Sequence, residues 1–186
     1  MGIGASAGGL KALTTLLSTL PLDFPAAVVV VQHLDPRHRS LMAEILARRT
    51  RLSVEEVVAG RTARRGCVYM APPDHHVLVD ADGQFRLTET PLVHYVRPSV
   101  DALLASMAES YGPRAIAVIL TGSGSDGADG VRAIKEHGGT VIVQDEPTSE
   151  FWGMPGAALK TDCVDRVVPL DQIAGVLVGL VMKREV

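Results

Sequence analysis

Three polar residues stand where apolar stretches end. Ser6 lies in GIGASAGG (residues 2–9), His33 closes AAVVVVQH (26–33), and Asp126 lies in TGSGSDG (121–127), at the end of AIAVILTG (115–122). Serine, histidine and a carboxylate are the parts of a nucleophilic triad. A hydroxyl attacks poorly until an imidazole takes its proton, and a carboxylate holds that imidazole in the right tautomer and stabilises its charged form. Ser6 also sits in a G-x-S-x-G pattern, with Gly4 and Gly8 leaving room for a sharp strand-to-helix turn. The helix that follows aims free N–H groups and a positive dipole end at the serine, where they could hold an oxyanion. The chain order is Ser, His, Asp, unlike the Ser, Asp, His order of α/β-hydrolases.

Each part has a plainer reading. GIGASA also fits G-x-G-x-x-A, close to a dinucleotide fingerprint. That fingerprint needs an acidic residue at the end of the second strand, whereas Asp23 precedes the strand and Gln32-His33 ends it. The turn is otherwise a simple tight turn, and Asp126 a cap for the helix expected from residue 128. The remaining histidines suggest no metal site: side chains of adjacent His75 and His76 point apart on a strand, and His38, His94 and His137 have no partners in sequence. No cofactor is expected. The stretch RHRS, with Arg48, Arg49 and Arg51, reads as a solvated face or a contact for an acidic partner.

The elements that must carry these residues alternate. Leucines at 10, 13, 16, 17 and 20 have helical spacing over residues 9–20, and Pro21 stops that helix. Only residues 1–3 remain for a strand before the glycine-rich turn. A buried strand follows over 26–33, then a helix over 40–51 capped by Ser40, with Leu41, Ile45 and Leu46 on its apolar face. CVYMAPP and HHVLVDADGQFRLTE read as short strands with DADG as a hairpin turn. Helices are expected over 99–111, 128–137, 155–161 and 170–183, and buried strands in AIAVILTG and TVIVQD. Alternation with wholly apolar strands predicts an α/β fold: a doubly wound, mostly parallel sheet with helices on both faces and an inserted β-hairpin. Ligands of such sheets sit where strands end and helices begin.

Composition narrows the function. At 186 residues the chain reads as one domain, residues 1–186. A net charge of −3 and 4% aromatics give no footing for a polyanion or for base stacking, so no nucleic-acid partner is expected. The longest apolar run, residues 26–31, is too short to span a bilayer, so membrane insertion is not expected. Cys67 and Cys163 lack metal spacing and read as reduced thiols of a cytoplasmic protein.

GIGASAGG, VVVVQHLDP, VYMAPPDHH, RPSVDALLASMAE, AVILTGSGSDGADGVRAIKEHGGTVIVQDE and FWGMPGAAL run nearly end to end in an order that resembles the catalytic domain of CheB-type chemotaxis protein-glutamate methylesterases. The resemblance implies the fold just described, with Ser6 as nucleophile, His33 as general base and Asp126 as the carboxylate. It implies hydrolysis of glutamate γ-methyl esters on the signalling helices of a methyl-accepting chemotaxis receptor or related signalling protein, releasing methanol, and deamidation of receptor glutamines. Two positions depart from the family pattern: Ala7 stands where threonine is common, and Ser123 where methionine is frequent. Backbone donors survive side-chain replacement, so Ala7, Gly8 and Ser123 are the expected oxyanion and substrate contacts. The family's N-terminal receiver domain has no counterpart in these residues; the resemblance implies a receiver domain or a methyltransferase module as companion in a longer protein. The rival reading is a weak or inactive relative that docks to a receptor or kinase.

Overall fold

The computed structural model describes residues 1–33 and 40–182. Seven parallel strands form one sheet in the order β3-β4-β2-β1-β7-β8-β9. The strands are β1 (Gly2–Ala5), β2 (Val28–Gln32), β3 (Ser53–Glu56), β4 (Cys67–Met70), β7 (Ile116–Ile119), β8 (Thr140–Gln144) and β9 (Arg166–Val168). β5 (His76–Val79) and β6 (Phe85–Thr88) form a separate antiparallel hairpin, closed by the expected turn with Gly83 N–H donating to Asp80 O. The helices are α1 (Gly9–Thr19), α2 (Met42–Ala47), α3 (Val100–Tyr111), α4 (Ala128–Glu136), α5 (Gly153–Leu159) and α6 (Leu170–Met182).

Both faces of the sheet are covered, which is why the strands are apolar without alternation. Ile3, Ala5, Val28, Val30, Val118 and Ile142 point into a core shared with α1, α2 and α6. Their strand neighbours Val29, Val31, Ala117, Ile119 and Val143 point the other way, into a core shared with α3, α4, α5 and the hairpin. β1 lies between β2 and β7, with Ala5 opposite Gln32 and Gly4 opposite Ile119. The chain therefore winds outward in both directions from β1. α1, leaving β1, and α4, following β7, lie on opposite faces, which opens a crevice at the carboxyl ends of these two strands.

Sequence periodicity misplaces some of the periphery. The edge strands β3 and β9 were not expected, being short and partly exposed. α2 is only six residues long, and its buried side chains are Met42 and Leu46, while Leu41 and Ile45 are exposed. The N-cap is Leu41, not the expected Ser40, and it makes no side-chain cap; Ser40, one residue earlier, still accepts from Met42 N–H through its Oγ at 3.1 Å. α5 begins at Gly153, two residues before the expected start. Lys183 and residues 37–39 of RHRS lie outside the described residues.

α3 approaches β1 very closely. A Cβ at Gly4 would lie 2.6 Å from Val100 Cγ1, so only a glycine lets the first turn of α3 rest on β1 beside the strand ends. Gly4→Ala overpacks this contact and should cost about 1–3 kcal/mol. A urea titration should show a lower midpoint with an unchanged slope; an unaltered midpoint means that α3 can move away freely.

Candidate active site

The three sequence-derived candidates converge at this crevice. Ser6 follows β1, and its N–H donates to Thr121 O at 3.1 Å, past the end of β7. His33 follows β2, and its N–H donates to Ala5 O at 3.1 Å, one residue before Ser6. Asp126 comes from the loop between β7 and α4 and is 3% exposed. Its Oδ2 lies 2.7 Å from His33 Nε2. That contact engages one ring nitrogen and leaves Nδ1 as the position from which the ring can take a proton. Ser6 Oγ has no hydrogen-bond partner among the described residues.

Asp126 is a cap, but not for the helix expected from the sequence. α4 begins on Gly127 with no side-chain cap. Asp126 sits instead at the start of α3: Oδ2 accepts from Val100 N–H at 2.7 Å, and Oδ1 from Asp101 N–H at 3.1 Å and Ser99 Oγ at 2.8 Å. Burial pushes this carboxyl up, but the bonds from His33, the Val100 and Asp101 amides and Ser99 outweigh it and hold it below the usual carboxylate value. Asp101 returns the favour, its Oδ1 accepting from Gly127 N–H at 2.9 Å and Gly130 N–H at 2.7 Å at the start of α4. Each helix is thus capped by a carboxylate belonging to the other's neighbourhood. Asp101 is driven the opposite way, up to about 6, by burial first, with Gly130 N–H opposing and the Asp126 and Asp129 charges adding.

Behind Asp126 stands a buried histidine. His76 Nδ1 accepts from Ser99 N–H at 3.1 Å, and its Nε2 lies 3.1 Å from Pro91 O. Both ring nitrogens are satisfied by a neutral imidazole with its proton on Nε2, which fixes Ser99 and through it Asp126.

The expected oxyanion contacts border Ser6. The N–H groups of Ala7, Gly8 and Ser123 have no hydrogen-bond partner among the described residues. Gly8, in the left-handed region at φ 77°, is the N-cap of α1, and Ser123 is exposed. Gly122 is required for space: a Cβ there would lie 2.4 Å from Met154 Sδ and 2.9 Å from Ser6 Cβ.

Two clamps have no assigned role in the sequence reading. Gln32 Nε2 donates to Ser6 O at 2.8 Å and to His33 O at 3.0 Å, joining the backbones of these two residues. Thr121 Oγ1 donates to Ala7 O at 3.0 Å and accepts from Phe151 N–H at 2.8 Å, tying the nucleophile turn to the start of α5. A polar residue ending a buried strand was the available signal in both cases.

A parallel, doubly wound α/β sheet thus gathers serine, imidazole and carboxylate at its switch point. The chain belongs to the CheB methylesterase family, whose family model matches residues 1–177. It is similar to the crystal structure of the Thermotoga maritima CheB methylesterase catalytic domain, with a TM-score of 0.93, 39% identity and 96% of each chain covered. A Moorella thermoacetica protein-glutamate methylesterase/protein-glutamine glutaminase is 44% identical over 97% of this chain and 44% of that protein. A putative enzyme of the same name from Leptospira interrogans is 39% identical over 96% of this chain and 92% of that protein. The chain spans about half the length of several relatives, the Moorella protein among them.

The electrostatics of Asp126 have a measurable consequence. Its carboxyl is held below the unfolded value, so its contribution to stability is present above about pH 4 and is lost as pH falls through the folded value. Asp126→Asn loses charged hydrogen bonds worth about 1.5–3 kcal/mol each in the best cases, and presents an amide donor to a group of donors. Urea midpoints from pH 7 to pH 3 should show a large gap between wild type and variant at neutral pH that narrows below about pH 4. A gap that stays constant across this range would mean that these bonds do not hold the carboxylate ionised.

Proposed function

We propose that this chain is a serine-type esterase that demethylates glutamate γ-methyl esters on the signalling helices of a chemoreceptor-like protein. The observation that carries the reading is the Asp126–His33 pair at 2.7 Å beside an unengaged Ser6 hydroxyl, in a member of the CheB methylesterase family. Ser6 Oγ attacks the ester carbonyl and passes its proton to His33 Nδ1, while Asp126 stabilises the imidazolium through Nε2. The oxyanion is received by free N–H groups from the set Ala7, Gly8 and Ser123. Collapse of the tetrahedral intermediate breaks the C–O bond to methoxide, which takes the proton from His33 and leaves as methanol. A water then gives its proton to His33 and attacks the acyl-enzyme, and the proton returns to Ser6 as the glutamate is released. The same steps on a γ-carboxamide release ammonia, which supports the glutaminase activity in the relatives' names.

The surroundings suit a side chain presented by another macromolecule. His33 is 12% exposed, and Ser6 opens onto a shallow hollow of about 680 Å³ between α1 and α2. Leu10 and Ile45 give that hollow an apolar lining, and Lys11 and Arg49 give it cationic edges. A helix bearing glutamates has the complementary character. Cytoplasmic signalling receptors are the proposed partners, and a receiver domain or methyltransferase module the proposed companion in a longer protein. Among the described residues no helix is long and apolar enough to cross a membrane.

Ser6→Ala should leave the fold intact, within about 0.5–1 kcal/mol of wild type, and lower methanol release from a methylated receptor fragment by about 10⁴-fold or more. Gas chromatography of the released methanol checks this. Wild-type turnover in a folded Ser6→Ala protein would remove Ser6 as nucleophile.

A further inference from the structure

Beside the catalytic carboxylate, but not part of the proposed reaction, three side chains bring ligand atoms together. His94 lies in the turn of residues 91–96, which is closed by paired hydrogen bonds between Val93 and Val96. Asp101 lies in the first turn of α3 and Asp129 in the first turn of α4. His94 Nε2 is 3.2 Å from Asp101 Oδ2 and 3.6 Å from Asp129 Oδ2, and the three donor atoms all lie within 4.8 Å of one another. Each carboxylate has committed its other oxygen elsewhere. Asp101 Oδ1 takes Gly127 and Gly130 N–H, and Asp129 Oδ1 takes Arg132 Nη1 at 2.7 Å.

Asp101 Oδ2 needs a partner. Asp101 is 7% exposed, and this oxygen accepts no hydrogen bond; its nearest charge partner is His94 Nε2 at 3.2 Å. An unsatisfied buried carboxylate oxygen is costly. The spacing offers a solution. Ligands at ~2.1 Å from a tetrahedral cation stand ~3.4 Å apart; the two separations from His94 bracket that value, and the third edge lies within 4.8 Å. We propose that His94, Asp101 and Asp129 form a binding site for a divalent transition cation of the zinc class, held by one imidazole nitrogen and two carboxylate oxygens with solvent completing the shell. Imidazole with carboxylate favours zinc, cobalt or nickel over the oxygen-seeking magnesium and calcium. The sequence offered no hint, since the nearest ligand to His94 is seven positions away and the spacing matches no metal motif.

A cation here would staple the turn of residues 91–96 to the starts of α3 and α4. The same turn lends Leu92, Tyr95 and Val96 to a hollow that His33 also lines. The site is thus a clamp on one wall of the catalytic crevice and takes no part in the ester chemistry.

The test uses the whole chain without an affinity tag, stripped of metal by a chelator, and zinc chloride alone as probe. Calorimetric titration at neutral pH should show one saturable zinc ion per chain, and zinc should raise the melting temperature. His94→Ala and Asp129→Asn, both exposed positions, should each weaken binding about tenfold or more and abolish the thermal shift, while retaining the wild-type circular dichroism spectrum. Cys163→Ser, which removes a half-buried thiol that could bind zinc independently, should change neither. Asp101→Asn also disturbs the cap of α4, so the two exposed positions carry the test. Absence of a saturable site, or equal affinity in wild type, His94→Ala and Asp129→Asn, would overturn the proposal. None of these readouts depends on esterase activity.

Discussion

The Asp126 carboxylate is taken out of water and given four donors in exchange: an imidazole, a hydroxyl and two backbone amides from the first turn of α3. The rest of the site follows from that exchange. A free helix start is a positive end with unsatisfied N–H groups, and a carboxylate is its natural complement. Here the complement is supplied from across the fold and has room for one further bond, which goes to His33. Orientation of the His33 ring and docking of a helix are one interaction. Val100, whose N–H donates to this carboxylate, sits directly on Gly4 of β1, so α3 cannot approach the sheet more closely.

Two buried carboxylates so near each other set a conflict, and the structure resolves it unequally. Asp126 keeps its charge because four donors converge on it. Asp101, engaged through one oxygen, is pushed up to about 6 by burial, with the neighbouring negative charges adding to the effect. The sheet does the placing. Parallel strands end at one edge, and β2, β1 and β7 are adjacent, so residues 6, 33 and 126 reach one crevice from three distant parts of the chain.

The parts of the fold legible in the sequence were those with strong periodicity or unambiguous punctuation. The wholly apolar runs around Val30, Val118 and Ile142 identified central strands, and Leu13, Leu16 and Leu17 identified the buried face of α1. β3 and β9 escaped because an edge strand lacks the continuous burial that makes a pattern. In α2 the exposed Leu41 and Ile45 imitated a core face, although Met42 and Leu46 are the residues that pack. The types of the three candidate site residues were legible, but their wiring was not. Which helix Asp126 caps depends on tertiary proximity, and Gln32, Thr121 and His76 act through bonds to backbone atoms far away in sequence.

β1 has a further consequence, for the order in which the chain is made. It is the central strand of the sheet, yet one of its edges waits for β7, more than a hundred residues later. On the ribosome, the second edge of β1 has no strand to pair with until residues 116–119 emerge. Asp126 follows only a few residues after that pairing. A truncated or half-translated product therefore carries the Ser6 turn and His33 without the Asp126 carboxylate that holds the ring. Closure of the sheet and assembly of the crevice wait for the same late segment, so an incomplete chain leaves a strand edge open and the crevice unformed.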